Sequence, residues 1–261
     1  MPVYKAEGIV LGRRNLGEAD RVLTLLTREH GKLPVKAKAV RKPTSRLSGC
    51  LEPFTHARFL LARGRALDVV AQVEVIESFA GLRSDLRHVG YAALCAELTD
   101  RLMPEGEPHP EVFWMLLQAQ ATIASGAPEV GALWYALHLL TAVGYRPVVD
   151  RCARCGATLG GRVGWSPEGG TVCEGCGRAE GVRWVSAEGV ATLRALLRSS
   201  PRSLGRVHLR EVKWDELTEA IAAYAEARIE GRLRSLTVVR GLLRAVKTPP
   251  TREDILEAKD G

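Results

Sequence analysis

The sequence lacks any apolar run long enough to cross a membrane. Its longest apolar stretches are interrupted by charged residues or glycine, well short of the roughly 18 to 20 residues that a membrane-spanning helix requires. No apolar signal segment precedes the rest of the chain. We therefore expect a soluble protein in the reducing cytoplasm, with no membrane partner.

Sequence motifs of several enzyme classes are also missing. The chain has no G-x4-G-K-[ST] phosphate loop, no H-E-x-x-H zinc motif and no dense carboxylate cluster that could hold two metal ions. Without them, nucleotide hydrolysis and two-metal hydrolysis have no candidate residues. We expect a protein that is not an enzyme and that has no small-molecule substrate.

Cysteine is scarce, with six residues in 261, but four of the six are regularly spaced. Two C-x2-C pairs, separated by 17 residues and each followed by glycine, comprise Cys152, Cys155, Cys173 and Cys176. This spacing is typical of a tetrahedral zinc site, and four thiolates would close its coordination sphere, so we expect one structural zinc ion. Two disulfides fit less well, because a chain of this length does not need them and no signal segment is found. A thioredoxin-like redox pair also fits less well, because no βαβ pattern flanks either pair. Of the other two, Cys95 is predicted to be a buried core thiol, and Cys50 has no assigned role.

Positive charge is concentrated near the N-terminus. The whole chain carries a formal charge of +7, and residues 1–80 contain 14 Lys and Arg against 8 Asp and Glu, a net +6. Such an excess in a small module suggests a polyanionic partner, with nucleic acid the leading candidate. The alternative is a solvated basic face with no partner.

The sequence pattern of the same stretch predicts five β-strands. Runs of alternating or β-branched residues, separated by glycine and polar turns, span residues 3–13, 21–28, 33–40, 54–61 and 67–76. Five short strands in about 80 residues fit a small barrel, and an OB-fold is the obvious candidate.

The third predicted strand places its lysines together. Alternation puts Leu33 and Val35 on one face and the lysines on the other, and the strand leads into a basic loop. The candidate DNA-binding residues are Arg13, Arg14, Arg21, Lys32, Lys36, Lys38, Arg41, Lys42 and Arg46. The stretch has few aromatic residues to stack on bases, so we expect electrostatic binding with little sequence specificity. Gly17 and Asp20 are expected to shape the first turn, with Asp20 holding an arginine.

From residue 81 onward the apolar period becomes helical. One predicted helix ends at Met103, the next follows Pro108 and Pro110, and a third runs from about Pro128 to Gly144. Ser186 is the predicted N-cap of a fourth, which Pro201 ends, and one long helix is predicted from Trp214 to Val246. Trp114, Trp134 and Tyr135 are expected in the core. Six cations near the C-terminus either offset the helix dipole or form a second DNA contact. They are Arg228, Arg232, Arg234, Arg240, Arg244 and Lys247.

These features together give an α+β multidomain architecture. The expected units are an OB-fold DNA-binding domain at 1–80, a helical domain at 81–150 and 182–250, an inserted four-cysteine zinc knuckle at 151–181, and a mobile tail at 251–261. The zinc knuckle therefore interrupts the helical domain.

Several short segments, taken in order, resemble one protein family. They include Gly17-Glu18-Ala19-Asp20-Arg21, Arg41-Lys42, Leu51-Glu52-Pro53-Phe54 and the paired C-x2-C segments. From Val3 to about Val246 the chain resembles the RecO family of bacterial DNA repair proteins. The resemblance implies binding of single- and double-stranded DNA and annealing of complementary strands. It also implies work with RecR to replace single-strand binding protein by the RecA recombinase, in a cytoplasmic, nucleoid-associated setting.

Two other functions remain open on the residues alone. An RNA-binding or translation-associated factor with an OB-fold and structural zinc would share the charge pattern. A zinc nuclease or deaminase fits less well, because all four candidate ligands are cysteine and the H-x-E motif of zinc deaminases is missing.

Overall fold

The five strands of the N-terminal region form a closed barrel. The computed structural model describes residues 2–45, 47–206 and 212–247, so Arg46 and the predicted tail lie outside the described residues. The strands are β1 (Val3–Leu16), β2 (Asp20–Thr27), β3 (Gly31–Ala37), β4 (His56–Ala62) and β5 (Asp68–Glu77). Their order around the barrel is β1-β2-β3-β5-β4, with β3 and β5 parallel and the other pairs antiparallel. The predicted five-stranded OB-fold barrel is confirmed.

Side-chain alternation fills the barrel interior. Val10, Leu23, Leu25, Val35 and Phe59 are almost completely buried in one apolar cluster. The opposite faces of β1 and β2 contribute Ile9, Leu11 and Leu26 to a second cluster shared with the helices. The barrel and the helical domain therefore bury a common apolar surface.

The third strand is shorter than predicted. It ends at Ala37, and Ala39 adopts a left-handed conformation with φ of 52°. A non-glycine residue in this region is uncommon and marks a turn. Lys38 consequently lies in a turn rather than on the face of a strand.

Six α-helices follow the barrel in the part of the chain that the structure describes. They are α1 (Leu86–Leu102), α2 (Pro110–Ala124), α3 (Pro128–Ala142), α4 (Ala187–Arg198), α5 (Trp214–Ile229) and α6 (Arg234–Lys247). Pro110 and Pro128 each occupy the first turn of a helix, where the missing N–H group costs nothing. The predicted N-cap is confirmed, since the Ser186 side chain accepts a hydrogen bond from the Gly189 N–H group.

The single long C-terminal helix predicted from the sequence is wrong. The chain breaks after Ile229, where Glu230 takes a left-handed conformation with φ of 48° and glycine follows. The break lets α6 turn back and pack against α1. Apolar periodicity continued through the break, so the sequence pattern concealed it.

Most of the predicted helical core is observed. Trp134 and Tyr135 are fully buried, whereas the ring of Trp114 is 50% exposed, so its predicted core position is wrong. Cys95 is buried as predicted, and burial raises the pKa of its thiol. Within the described ranges, no helix is both long enough and apolar enough to span a bilayer.

The four cysteines lie in a small β-rich module between α3 and α4. Its strands β6 (Val163–Ser166), β7 (Gly170–Val172) and β8 (Arg183–Val185) form a sheet in the order β7-β6-β8. The indole of Trp165 is fully buried and lies 5.7 Å from the Tyr224 ring, centroid to centroid. The module is thus packed onto α5.

Candidate nucleic-acid interface and metal centre

The segment after β3 folds back onto the turn between β1 and β2. The Arg41 N–H group donates to the Ala19 carbonyl at 2.9 Å, and the Arg41 guanidinium donates to the Gly17 carbonyl at 2.9 Å. Gly17 has φ of 59°, a conformation that glycine adopts without strain. These bonds fix the position of Arg41 beside the first turn.

Asp20 ties the same two segments together. One carboxylate oxygen accepts a hydrogen bond from the Ala39 N–H group at 2.7 Å, and the other pairs with the Lys36 ammonium at 2.9 Å. Hydrogen bonds lower the pKa of the Asp20 carboxyl; the bond from the Lys36 ammonium has the largest effect, and the bond from the Ala39 N–H group has the next largest. The predicted role of Asp20 in holding an arginine is wrong, since it holds Lys36 while Gly17 holds Arg41.

Four of the predicted cations are exposed and form no ion pair within the described residues. They are Arg14, Lys38, Arg41 and Lys42, which we call the basic turn cluster. Arg14 shares a cross-strand row with Val22 and Lys36, which places it on the Lys36 face of the barrel. The positive charge of all four is therefore open to a partner.

Three other predicted cations are neutralised in part or directed elsewhere. Arg13 pairs with Glu52, and the Arg21 guanidinium lies 4.0 Å from the same carboxylate. Lys36, as described above, pairs with Asp20. Arg13 and Arg21 lie across from the barrel-interior residues Leu23 and Ala37, on the face opposite to Lys36, and none of the three contributes a full free charge.

Lys32 does not belong to this surface, which corrects the prediction for that residue. It is only 8% exposed, and its ammonium lies 3.4 Å from an Asp100 carboxylate oxygen on α1. Lys32 points to the face of β3 that packs against the helices. Alternation correctly separated lysines from the barrel interior but could not show which part of the outer face the helices cover.

The C-terminal cations divide into fold-stabilising and exposed residues. The Arg228 guanidinium stacks 3.4 Å from the Tyr224 ring centroid and donates to the Pro167 and Glu168 carbonyls of the β6–β7 turn. Arg240 forms a bidentate ion pair with Glu219, with Nε 2.5 Å from Oε1 and Nη2 2.7 Å from Oε2. Arg232 and Arg234 are exposed, and the side chains of Arg244 and Lys247 lie outside the described part.

The four cysteine sulfurs converge on one point. All four lie within 4.8 Å of one another, and the Cys155 and Cys173 sulfurs are 3.8 Å apart. A tetrahedron with zinc–sulfur bonds of about 2.3 Å has sulfur–sulfur edges of about 3.8 Å. The four side chains therefore fit a metal ion with tetrahedral thiolate coordination.

The pKa shifts of the cysteine thiols are consistent with a bound cation. Burial opposes ionisation of Cys152, but the N–H groups of Cys173, Cys155 and Arg154 lower its pKa to about 6. The neighbouring sulfurs of Cys173, Cys155 and Cys152 raise the pKa of Cys176 to about 12. Four thiolates this close repel one another, and a divalent cation would remove that repulsion.

The glycines after the two cysteine pairs act differently. Each N–H group bonds back to the first cysteine of its pair, Gly156 to Cys152 at 2.9 Å and Gly177 to Cys173 at 2.8 Å. Gly156 needs its freedom because φ is 77°. A Cβ atom on Gly177 would instead lie 2.7 Å from the ring of Trp184, a packing contact that spacing could not predict.

The barrel, the helical domain and the cysteine module define the chain as a multidomain OB-fold protein with four clustered cysteines that could bind a metal ion. Family models described as "Recombination protein O N terminal" and "Recombination protein O C terminal" match residues 1–79 and 83–237. The chain belongs to the RecO family of DNA repair proteins, as its sequence resemblance indicated. Membership supports a role in recombinational DNA repair.

Named relatives agree over the length of the chain. "DNA repair protein RecO" of Desulfitobacterium hafniense (strain Y51) is 37% identical over 266 residues, covering 100% of this chain and 97% of the relative. The protein of the same name from Heliobacterium modesticaldum is 37% identical, covering 96% and 94%. That of Pelotomaculum thermopropionicum is 46% identical over 177 residues, covering 67% and 69%.

Proposed function

We propose that this protein is a DNA-binding recombination mediator that does not act as an enzyme. It binds single- and double-stranded DNA and promotes annealing of complementary strands. With RecR it assists loading of RecA onto DNA coated by single-strand binding protein, in the nucleoid-containing cytoplasm. The partner proteins are proposed on family membership, whereas DNA binding has support from the barrel itself.

The basic turn cluster is the observation that carries DNA binding. Its four cations are exposed and free of carboxylate partners among the described residues. The turn that bears Lys38, Arg41 and Lys42 is fixed by Asp20 and by the Gly17 and Ala19 carbonyls. A fixed group of cations suits the phosphate backbone, which Lys and Arg neutralise without regard to base sequence.

Annealing follows from the same charge neutralisation. Two strands repel each other through their phosphates, and a protein that neutralises phosphates on both lowers that barrier. Productive base encounters then become more frequent without nucleotide hydrolysis. The reaction requires cations and two bound strands, and no catalytic side chain.

We also propose that the metal is a single structural zinc ion, held by Cys152, Cys155, Cys173 and Cys176. Thiolate is the ligand type that zinc shares with few other abundant ions, and the sulfur spacing fits its bond length. Four protein ligands leave no position for water or substrate. A nuclease assay with added magnesium or manganese should therefore detect no cleavage.

The experiment replaces two cluster residues and compares a matched control. Lys38→Glu with Lys42→Glu reverses two exposed charges at the cluster, and Lys5→Glu with Arg65→Glu reverses two exposed charges elsewhere on the barrel. We expect the cluster variant to bind single strands and duplexes about tenfold more weakly at roughly 0.15 M salt. Its slope of log affinity against log salt should fall by about 1.4 to 1.8, whereas the control should match the wild type.

Two results would contradict the proposed function. One is equal affinity of the wild type and the cluster variant for every DNA tested. The other is a strong preference of the wild type for RNA over DNA of the same sequence, because only a protein that reads the 2′-hydroxyl group should show it.

A further inference from the structure

Tyr145 is an exposed aromatic residue held in a rigid position. It follows α3, where Gly144 turns with φ of 86° and the Tyr145 N–H group donates to the Leu140 carbonyl at 2.7 Å. Its side chain is 47% exposed. Among the barrel residues that the structure describes, Phe54 and Phe59 are buried, and the Tyr4 ring is covered by the Arg63 guanidinium, whose carbon lies 4.2 Å from the ring centroid.

Arginines surround this tyrosine where the helical domain meets the four-cysteine module. The Arg228 guanidinium carbon lies 5.9 Å from the Tyr145 ring centroid, and Arg146 is the next residue. Glu168, whose carbonyl accepts a hydrogen bond from Arg228, pairs through its carboxylate with Arg154 of the module. Asp150, five residues after Tyr145, pairs with two arginines of α4. We call the set Arg146, Arg151, Arg154, Arg194, Arg198 and Arg228 the arginine junction.

Few carboxylates balance this charge. Asp150 is shared by Arg194 at 3.3 Å and Arg198 at 3.1 Å, and Glu168 pairs with Arg154 at 3.3 Å. Within the described residues, these three pairs are the ion pairs of the six arginines, and Arg228 donates only to carbonyl groups. Two carboxylates therefore pair with the set. This concentration of arginines is hidden in the sequence, because residues 81–261 as a whole carry only +1.

We propose that the arginine junction is a second nucleic-acid site, in which arginines contact phosphates of single strands and duplexes alike and Tyr145 stacks on an unpaired base of a single strand. Arg146 and Arg151 are exposed and neutralise the adjoining phosphates. Aromatic stacking needs a base whose face is free, which a duplex does not offer, whereas phosphate contacts serve both forms. This proposal rests on the proposed DNA binding and adds a site on a different domain, so that one chain can hold two strands.

The test compares three single substitutions. We expect Tyr145→Ala to weaken binding of an oligothymidine about tenfold, since base–aromatic stacking is worth roughly 1 to 3 kcal/mol. Duplex affinity should change less than about twofold, and Tyr145→Phe should restore single-strand affinity because it keeps the ring. Trp114→Ala is the matched control, since it removes an equally exposed ring, 50% exposed, from α2.

A charge variant tests the phosphate contacts. Arg146→Glu with Arg151→Glu should weaken both single-strand and duplex binding and lower the single-strand salt slope by about 1.4. Because Arg151 precedes Cys152, bound zinc per chain is measured for each variant. A loss of affinity supports the second site only where the zinc content of the variant is unchanged. Arg146→Glu alone serves as a second variant, because Arg146 is not next to a cysteine of the metal centre.

The outcomes separate this inference from the proposed function. If the wild type binds neither single strands nor duplexes, the proposed function fails. If the wild type binds oligothymidine and Tyr145→Ala binds it equally well, the second site is rejected while DNA binding stands. Equal losses for single strands and duplexes in Tyr145→Ala would also reject stacking.

Discussion

The four-cysteine module and the basic turn cluster bring their side chains together by different means. In the module, two short turns each present a pair of sulfurs, and a metal ion would join the pairs. In the cluster, the Gly17 carbonyl holds Arg41, the Asp20 carboxylate holds the backbone of the turn at Ala39, and the barrel core supplies the stability. The module should therefore depend on a ligand, whereas the cluster should tolerate loss of any one cation without unfolding.

Loss of the metal is the largest effect expected. Replacing Cys152 and Cys155 together by serine should abolish zinc binding and unfold residues of the module while the barrel stays folded. Zinc contributes on the order of 10 kcal/mol to the folding of isolated zinc-finger peptides. Zinc content and hydrogen exchange measure the two effects.

Cys50→Ser provides the cysteine control, because Cys50 lies far from the module in sequence and outside the sulfur cluster. It should retain one zinc ion per chain. If the wild-type protein contained no metal, or if the double variant still bound it, the module would not depend on a metal held by these cysteines, and the contrast with the cluster would fail.

A smaller effect distinguishes the two glycines of the module. Gly177→Ala should lower the free energy of unfolding of the module by about 1 to 3 kcal/mol, because the new methyl group meets the Trp184 ring at 2.7 Å. Gly156→Ala should cost about 1 kcal/mol, since it strains a backbone with φ of 77° but meets no atom within 4 Å. Urea unfolding of both variants measures the difference, and a milder effect at Gly177 would show that Trp184 moves aside.

The smallest effect separates two lysines at the third strand. Lys32→Met should lower the free energy of unfolding by about 1 kcal/mol, because it removes an inward-facing pair with Asp100, and should leave DNA affinity unchanged. Lys38→Met should leave stability within about 0.5 kcal/mol and weaken DNA binding a few-fold. Urea unfolding and DNA titration of both variants provide the check. If Lys32→Met weakened DNA binding as much, Lys32 would belong with the cluster after all.

Local sequence patterns predicted which segments form strands and helices. Contacts between residues distant in sequence decided where those strands and helices end. Alternation predicted the strands of the barrel, and proline and serine positions predicted helix starts, because these signals act within one turn or strand. The end of β3 at Ala37 and the break at Glu230 depend on how the chain packs against other elements. Trp114 has helical spacing like Trp134, yet only Trp134 faces a neighbouring helix layer.

The candidate sites show the same division. The four sulfurs could be predicted because each C-x2-C turn is a local structure and soft thiolates favour zinc. The basic turn could be predicted only in part, because Lys32 and Lys38 differ in what covers them. The arginine junction could not be predicted, because its members come from the segment after α3, the module, α4 and α5.

By itself, the sequence determined a five-stranded barrel, a helical domain, a four-thiolate centre and membership in a DNA repair family. It could do so because periodicity, turn chemistry and ligand spacing are properties of neighbouring residues. Only the tertiary structure decided which cations are free, which hold the domains together, and which arginine lies beside the exposed Tyr145 ring. Charge and exposure at a surface depend on every segment that packs there, and no local pattern records that.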